Sequence, residues 1–223
     1  MKKIVFRNLL LLTAVVLICI NAESQTINEW TKKYYPVQNS AQTVYDMTVD
    51  EESSMYLTGS NTAGYGGTDM VIVKYDYWGN YIWTRSYSYE GQPYSFETGK
   101  CIGTYSNGSK NYIYAACEVN FAGLNRFLAI FKYDSDGNQL WGKGYASAPF
   151  GFSHTLNKMI VDKKGNCYIT GSNGQSLFLS MYDSTGLQKY GVIYTNPPGY
   201  NTGSGHDMAV DSLENVYITG HVV

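Results

Sequence analysis

A unit of roughly fifty residues recurs along this chain of 223 residues, written three times in full and begun a fourth time. Repetition at that period means an architecture assembled by stacking supersecondary units, each too small to bury its own apolar face. Two landmarks carry the repeat. The first is an apolar-Tyr-apolar run closing on Thr-Gly: Met55-Tyr56-Leu57-Thr58-Gly59, Cys167-Tyr168-Ile169-Thr170-Gly171 and Val216-Tyr217-Ile218-Thr219-Gly220, with a divergent copy at Ile113-Tyr114-Ala115-Ala116-Cys117. The second is an apolar run entering a turn before an aromatic residue. It reads Val71-Ile72-Val73-Lys74-Tyr75-Asp76-Tyr77-Trp78-Gly79-Asn80 before Trp83, Ala129 to Asn138 before Trp141, and Phe178 to Leu187 before Tyr190. The tyrosines of the first landmark lie 58, 54 and 49 residues apart, and the second landmark keeps step with them.

Each unit reads as four short strands. Met47-Thr48-Val49-Asp50, Met159 to Asp162 and Met208 to Asp211 alternate over a short length and turn into the Tyr-containing run, which predicts a hairpin. The third run is almost continuously apolar, as expected of a strand covered on both faces. The fourth begins at Trp83, Trp141 or Tyr190. Four antiparallel strands in a unit of this size describe a blade, so the expected fold is an all-β propeller. Full blades are expected at about 41–89, 95–146 and 153–195, with a partial blade at about 204–223. Trp30-Thr31-Lys32-Lys33-Tyr34 matches a fourth strand, giving an outer strand of a preceding blade at 30–34. An incomplete or truncated ring is therefore expected, with a small four-bladed ring as the alternative.

These residues resemble the bacterial SBBP (seven-bladed β-propeller) repeats in the apolar-Asp end of the first strand, Val-Tyr-Ile-Thr-Gly on the second, and Lys-Tyr-Asp-x-x-Gly-Asn followed by Trp. The resemblance runs from Trp30 to Val223. It implies blade geometry and an extracellular setting, and it brings no catalytic residues with it.

Composition fits a secreted all-β chain: 22 Tyr, 23 Gly, 15% charged residues and a formal charge of -2. Such a balance offers nothing to a polyanion, so nucleic acid is not an expected partner. Lys2, Lys3 and Arg7 precede an apolar stretch from Leu9 to Ile20 and small residues at Ala22 and Ser24, which reads as a signal peptide over 1–24. Its apolar core is too short for a stable membrane span, and Cys19 follows Ile18 where a lipoprotein signal would have a small residue. Secretion after cleavage is expected. Of the remaining cysteines, Cys101 and Cys117 fall on neighbouring strands close enough to consider a bridge, while Cys167 occupies a position filled elsewhere by apolar residues.

Chemistry-bearing motifs are few. Asp134-Ser135-Asp136-Gly137-Asn138 has the oxygen spacing of a calcium loop, but the equivalent turns keep the glycine and lose the middle carboxylate, so a hairpin turn with positive φ is expected and no metal or other cofactor. His154, His206 and His221 lack metal-ligand spacing, and the first two read as solvated loop residues. Asn107-Gly108-Ser109 reads as a hairpin turn. The sharper candidate lies on the fourth strands, where alternation puts Trp83, Arg85 and Tyr87 on one face, and Trp141, Lys143 and Tyr145 likewise, as Trp30, Lys32 and Tyr34 would be. Such an aromatic and cationic face could hold a glycan or protein ligand, or could pack against the next blade with the cation stacked on the rings. The functional expectation is a non-enzymatic structural or ligand-binding scaffold. The alternative is a propeller enzyme, a lyase or hydrolase, with Asp46, His154 and His206 at the channel mouth.

Overall fold

The computed structural model describes residues 42–62, 67–89, 95–121, 126–145 and 154–223, and these are all-β, without a helix. The signal segment and the expected strand at 30–34 lie outside them. No helix among the described residues is long and apolar enough to cross a membrane. The first unit comprises β1 (Gln42–Val49), β2 (Met55–Thr62), β3 (Thr68–Tyr75) and β4 (Tyr81–Tyr87). The second comprises β5 (Ser95–Ser106), β6 (Asn111–Phe121), β7 (Arg126–Asp134) and β8 (Gln139–Tyr145). The third comprises β9 (Thr155–Val161), β10 (Cys167–Ser172), β11 (Leu177–Tyr182) and β12 (Gln188–Ile193), and a hairpin of β13 (Gly203–Val210) and β14 (Val216–Val222) follows. Each unit is an antiparallel meander. A lone parallel pair, Thr68 with Phe96, ties the first two into one eight-stranded sheet.

Asp residues close the hairpins. At the β1–β2, β9–β10 and β13–β14 turns they are Asp50, Asp162 and Asp211, and at the β3–β4, β7–β8 and β11–β12 turns Asp76, Asp134 and Asp183. Asp134 shows the pattern: Oδ1 accepts from the Asp136 and Asn138 amides at 3.0 and 2.8 Å, and Oδ2 from Asn138 Nδ2 at 2.9 Å. The carboxylate replaces strand partners that the turning backbone has lost. Gly79, Gly137 and Gly186 supply the positive φ, between 75° and 83°.

The Thr-Gly landmark has a steric origin. The inner strands β1 and β13 carry a register shift, between Val44 and Asp46 and between Gly205 and Asp207, and β9 carries one opposite Thr170 and Gly171. Each shift pushes the inner strand's backbone against the glycine of the second strand. A Cβ on Gly59, Gly171 or Gly220 would overlap the carbonyl oxygen of Thr43, Thr155 or Ser204.

The cores lie between successive units. One cluster joins Tyr56, Met70, Ile72 and Trp83 to Ile113, Ala115, Phe131 and Tyr133; a second joins Tyr114, Leu128 and Ile130 to Leu156, Ile169, Phe178 and Tyr182. The third strand is largely apolar because alternate residues enter different clusters: in β7, Ala129, Phe131 and Tyr133 face the first unit, Leu128 and Ile130 the third. This arrangement decides the cysteines. Cys101, Cys117 and Cys167 are free and buried. Cys117 belongs to the first cluster and Cys101 to the second, so adjacent strands turn these thiols to opposite sheet faces and the bridge considered above does not form.

Glu97 on β5 is fully buried, within electrostatic reach of Tyr87, Cys117 and Asp69. Burial pushes its carboxyl above the usual range, and the Asp69 charge adds to the effect. A carboxyl with a raised folded-state pKa favours folding most below the unfolded value of about 4.3, and that contribution fades as pH rises. Glu97→Gln is therefore expected to raise Tm at pH 7 and to flatten the decline of stability above about pH 5, as measured by thermal melts across pH. Gly171→Ala is expected to cost about 3 kcal/mol in urea unfolding, because backbone rather than a flexible side chain must move.

Candidate functional site

The fourth-strand aromatics are fastened to the next repeat. The indole Nε1 of Trp83 donates to the Ser135 carbonyl at 3.1 Å, and Lys74 Nζ donates to the same oxygen at 3.0 Å. One unit on, Trp141 Nε1 and Lys132 Nζ donate to the Ser184 carbonyl at 3.2 and 2.9 Å. The Asp134–Gly137 and Asp183–Gly186 turns thus each receive one indole and one ammonium from the unit before. Arg85 adds bonds from Nε to the Gly137 carbonyl at 2.7 Å and from Nη2 to the Asp136 carbonyl at 2.9 Å, with its guanidinium 5.2 Å from the Trp83 ring.

The residues of the expected aromatic and cationic face are placed as follows. Trp83 is 7% exposed, Arg85 half-buried on the neighbouring turn, and Tyr87 half-buried with its ring 4.4 Å from that of Phe131. Trp141 is half-buried and Lys143 exposed; the side chain of Tyr145, like Trp30, Lys32 and Tyr34, falls outside the described residues. Sequence reasoning overlooked the two lysines of the Lys-Tyr-Asp landmark. Lys132 is 6% exposed, with Nζ 4.3 Å from the Tyr112 ring centre and 5.1 Å from that of Tyr114, and burial pulls its pKa down. A lysine recurring inside an otherwise apolar strand was the available signal.

A second set of polar groups lies on the inner strands, which run side by side in the order β1, β5, β9 and β13. The register shift in each leaves one extra residue: Tyr45, Lys100, Asn157 and His206. Bulges re-aim side chains, and here they present a row of four different functional groups. Lys100 Nζ sits 4.8 Å from the Tyr45 ring centre. Asn157 Nδ2 donates to Ser204 Oγ and the Gly205 carbonyl at 2.9 and 2.7 Å. His206 Nε2 lies 2.6 Å from His221 Nδ1 with the rings stacked, and the neighbouring Lys158 pairs with Asp207 at 3.0 Å. Tyr45, Asn157 and His206 are exposed and Lys100 is half-buried.

Of the residues expected at a channel mouth, His206 belongs to this row, Asp46 is paired with Thr58 next to Tyr45, and His154 lies outside it. Asp46 accepts from the Met47 amide and, across the unit boundary, from the Ile102 amide, both at 2.9 Å. His154 is 2% exposed rather than solvated, with Nδ1 3.2 Å from the Arg126 carbonyl and its ring edge-on to Phe178 at 6.0 Å. Burial holds its pKa below the ordinary imidazole value. His206 lies within β13 rather than in a loop. His154 is covered by the Arg126 carbonyl of the preceding unit and by Phe178 of its own, which strand periodicity does not reveal. Among the described residues no group of three or more His, Cys, Asp or Glu side chains could hold a metal ion.

Trp83→Ala is expected to cost about 3–5 kcal/mol in chemical denaturation, since it empties a filled site and removes one of the two donors to the Ser135 carbonyl. Trp141→Ala, starting from a half-buried ring, is expected to cost less.

No protein-family model matches the chain, and no curated protein does.

Proposed function

We propose that this chain is a secreted, non-enzymatic β-propeller repeat protein of the SBBP type that acts as a structural or ligand-binding scaffold for a glycan or protein ligand. The observation that carries the reading is that the side chains best suited to chemistry are spent on joining repeats. Asp46 caps the Ile102 amide, Glu118 Oε1 accepts from the Leu156 amide at 2.8 Å, and His154 is buried against the Arg126 carbonyl. A general acid or base has to reach a substrate proton, and a carboxylate saturated by backbone amides is poorly placed for that. The bulge row is better suited to recognition. It offers an aromatic ring, an ammonium, an amide and an imidazole pair on strands held rigid by their neighbours.

The repeat geometry supports a propeller because each meander turns its face onto the next and hides its apolar third strand there. Secretion is supported by the basic, apolar and small-residue sequence of residues 1–24.

Tyr45→Ala and His206→Ala are expected to weaken binding on glycan and peptide arrays with Tm almost unchanged, because both side chains are exposed. Asp46→Ala is expected instead to lower stability by about 1–3 kcal/mol, the cost of an amide left unpaired at a unit boundary. If the bulge-row variants bound as the parent does while Asp46→Ala remained fully stable and abolished turnover of a substrate, the enzyme alternative would replace the scaffold.

A further inference from the structure

Where the first unit meets the second, three strand ends bring oxygen-bearing side chains together. Asn61 on β2 stands directly opposite Asp69 on β3, so the two side chains share a face. The parallel pair of Thr68 with Phe96 sets the next residues along, Asp69 and Glu97, side by side in the same row. Thr68 Oγ1 donates to the Glu97 carbonyl at 3.4 Å, and a Cβ on Gly67 would overlap the Ser95 carbonyl oxygen, so the start of β3 is held closely against the start of β5. Glu97 is fully buried with neither carboxyl oxygen hydrogen-bonded, and the side-chain oxygen of Asn61 is buried without a partner as well. These are three of the four buried side-chain polar atoms left unpaired among the described residues, so the unmet demand of the interior is concentrated at this junction. Ser95 and Tyr89 lie near enough to Glu97 to favour its charge without closing a hydrogen bond on it. Among the described residues no Lys, Arg or His pairs with Glu97 or Asp69.

We infer that Asn61, Asp69 and Glu97 bind a calcium ion that ties the first unit to the second. Every unpaired atom here is an acceptor oxygen, and two carboxylates with an amide carbonyl are the donor set of a hard cation. Calcium suits the site better than magnesium, because it accepts irregular sets of oxygen ligands and shares them with water, whereas magnesium demands a near-ideal octahedron. Asn61 and Asp69 are half-buried, which leaves the row a side open to solvent through which the ion and its remaining waters enter. Glu97 closes the inner side and supplies the charge that burial alone would penalise. The Asp134–Asn138 turn, which has the oxygen spacing of a calcium loop, offers no such vacancy: both oxygens of Asp134 already accept from within the turn, and its Ser135, Asp136 and Gly137 carbonyls accept from Trp83, Lys74 and Arg85. The inference does not rest on the scaffold reading, and the bulge row takes no part in it.

The full chain, stripped of divalent ions with a chelator, is titrated with calcium chloride by isothermal titration calorimetry, and thermal melts are recorded with and without the ion. One saturable site with Kd of about 1 mM or tighter is expected, together with a rise in Tm. Glu97→Gln and Asp69→Asn, which keep the shape of the side chains and remove their charge, are expected to weaken binding at least about tenfold and to abolish the rise in Tm. Melts in chelator show that both variants are folded, so a lost response is a lost ligand. Asp136→Asn and Tyr45→Ala are expected to bind as the parent does. Absence of saturation up to about 10 mM calcium, or binding that Glu97→Gln and Asp69→Asn leave unchanged, would overturn the inference. Binding lost in Asp136→Asn and kept in Glu97→Gln would also overturn it, by moving the ion to the Asp134–Asn138 turn.

Discussion

The third strand of each unit is apolar on both faces, and a single sheet cannot cover both. The stability of every repeat therefore depends on the repeat beside it. Burial is nearly complete where this condition is met: Met70, Ile72, Leu128, Ile130 and Phe178 have no exposed surface. At about 25 cal/mol per Å² of apolar surface removed from water, such contacts outweigh any individual polar bond in the structure. The polar bonds set register instead. An indole and an ammonium converge on one carbonyl oxygen of the neighbouring turn, at Ser135 and again at Ser184, which fixes how far one sheet slides over the next. Lys74 and Lys132 can sit at these boundaries because each ammonium has an acceptor and an aromatic face nearby.

Mutual dependence of this kind makes the array close to one-dimensional, with each interface contributing to the units on both sides. The third unit shows what changes when the clamp is altered. Met181 and Tyr190 stand where Lys74 and Trp83, or Lys132 and Trp141, stand earlier, and every residue of β12 is exposed. Among the described residues the β13–β14 hairpin has no third strand beside it, and Tyr217 is 60% exposed while its counterparts Tyr56, Tyr114 and Tyr168 are at most 1% exposed. Local opening is expected to begin in this region, since few buried apolar contacts oppose it.

The inner strands answer a different constraint. Their bulges arise where a strand must bend, and the extra residue in each has no ladder partner to satisfy. Its identity is free of packing demands, and Tyr45, Lys100, Asn157 and His206 differ from one another accordingly. Structure and recognition are thereby separated within a few residues: Asp46 and Cys101 hold adjacent units together beside Tyr45 and Lys100, which face outward.

Among the described residues, the sequence by itself determined the order and type of the strands, because turn chemistry and alternation are local. Asp76, Asp134 and Asp183 with their glycines place hairpins, and the Tyr-containing runs could be read as strands directly. It also contained the clamp in plain form as Lys-Tyr-Asp and the following Trp, without revealing that both donors reach one carbonyl some fifty residues away. Contacts between units were decided only by tertiary structure. Whether Trp83 is buried, whether His154 is solvated, whether Cys101 faces Cys117 and which inner residue bulges all depend on how one sheet lies on the next. Strand periodicity assigns a side chain to a face, but only the packed neighbour decides whether that face meets water.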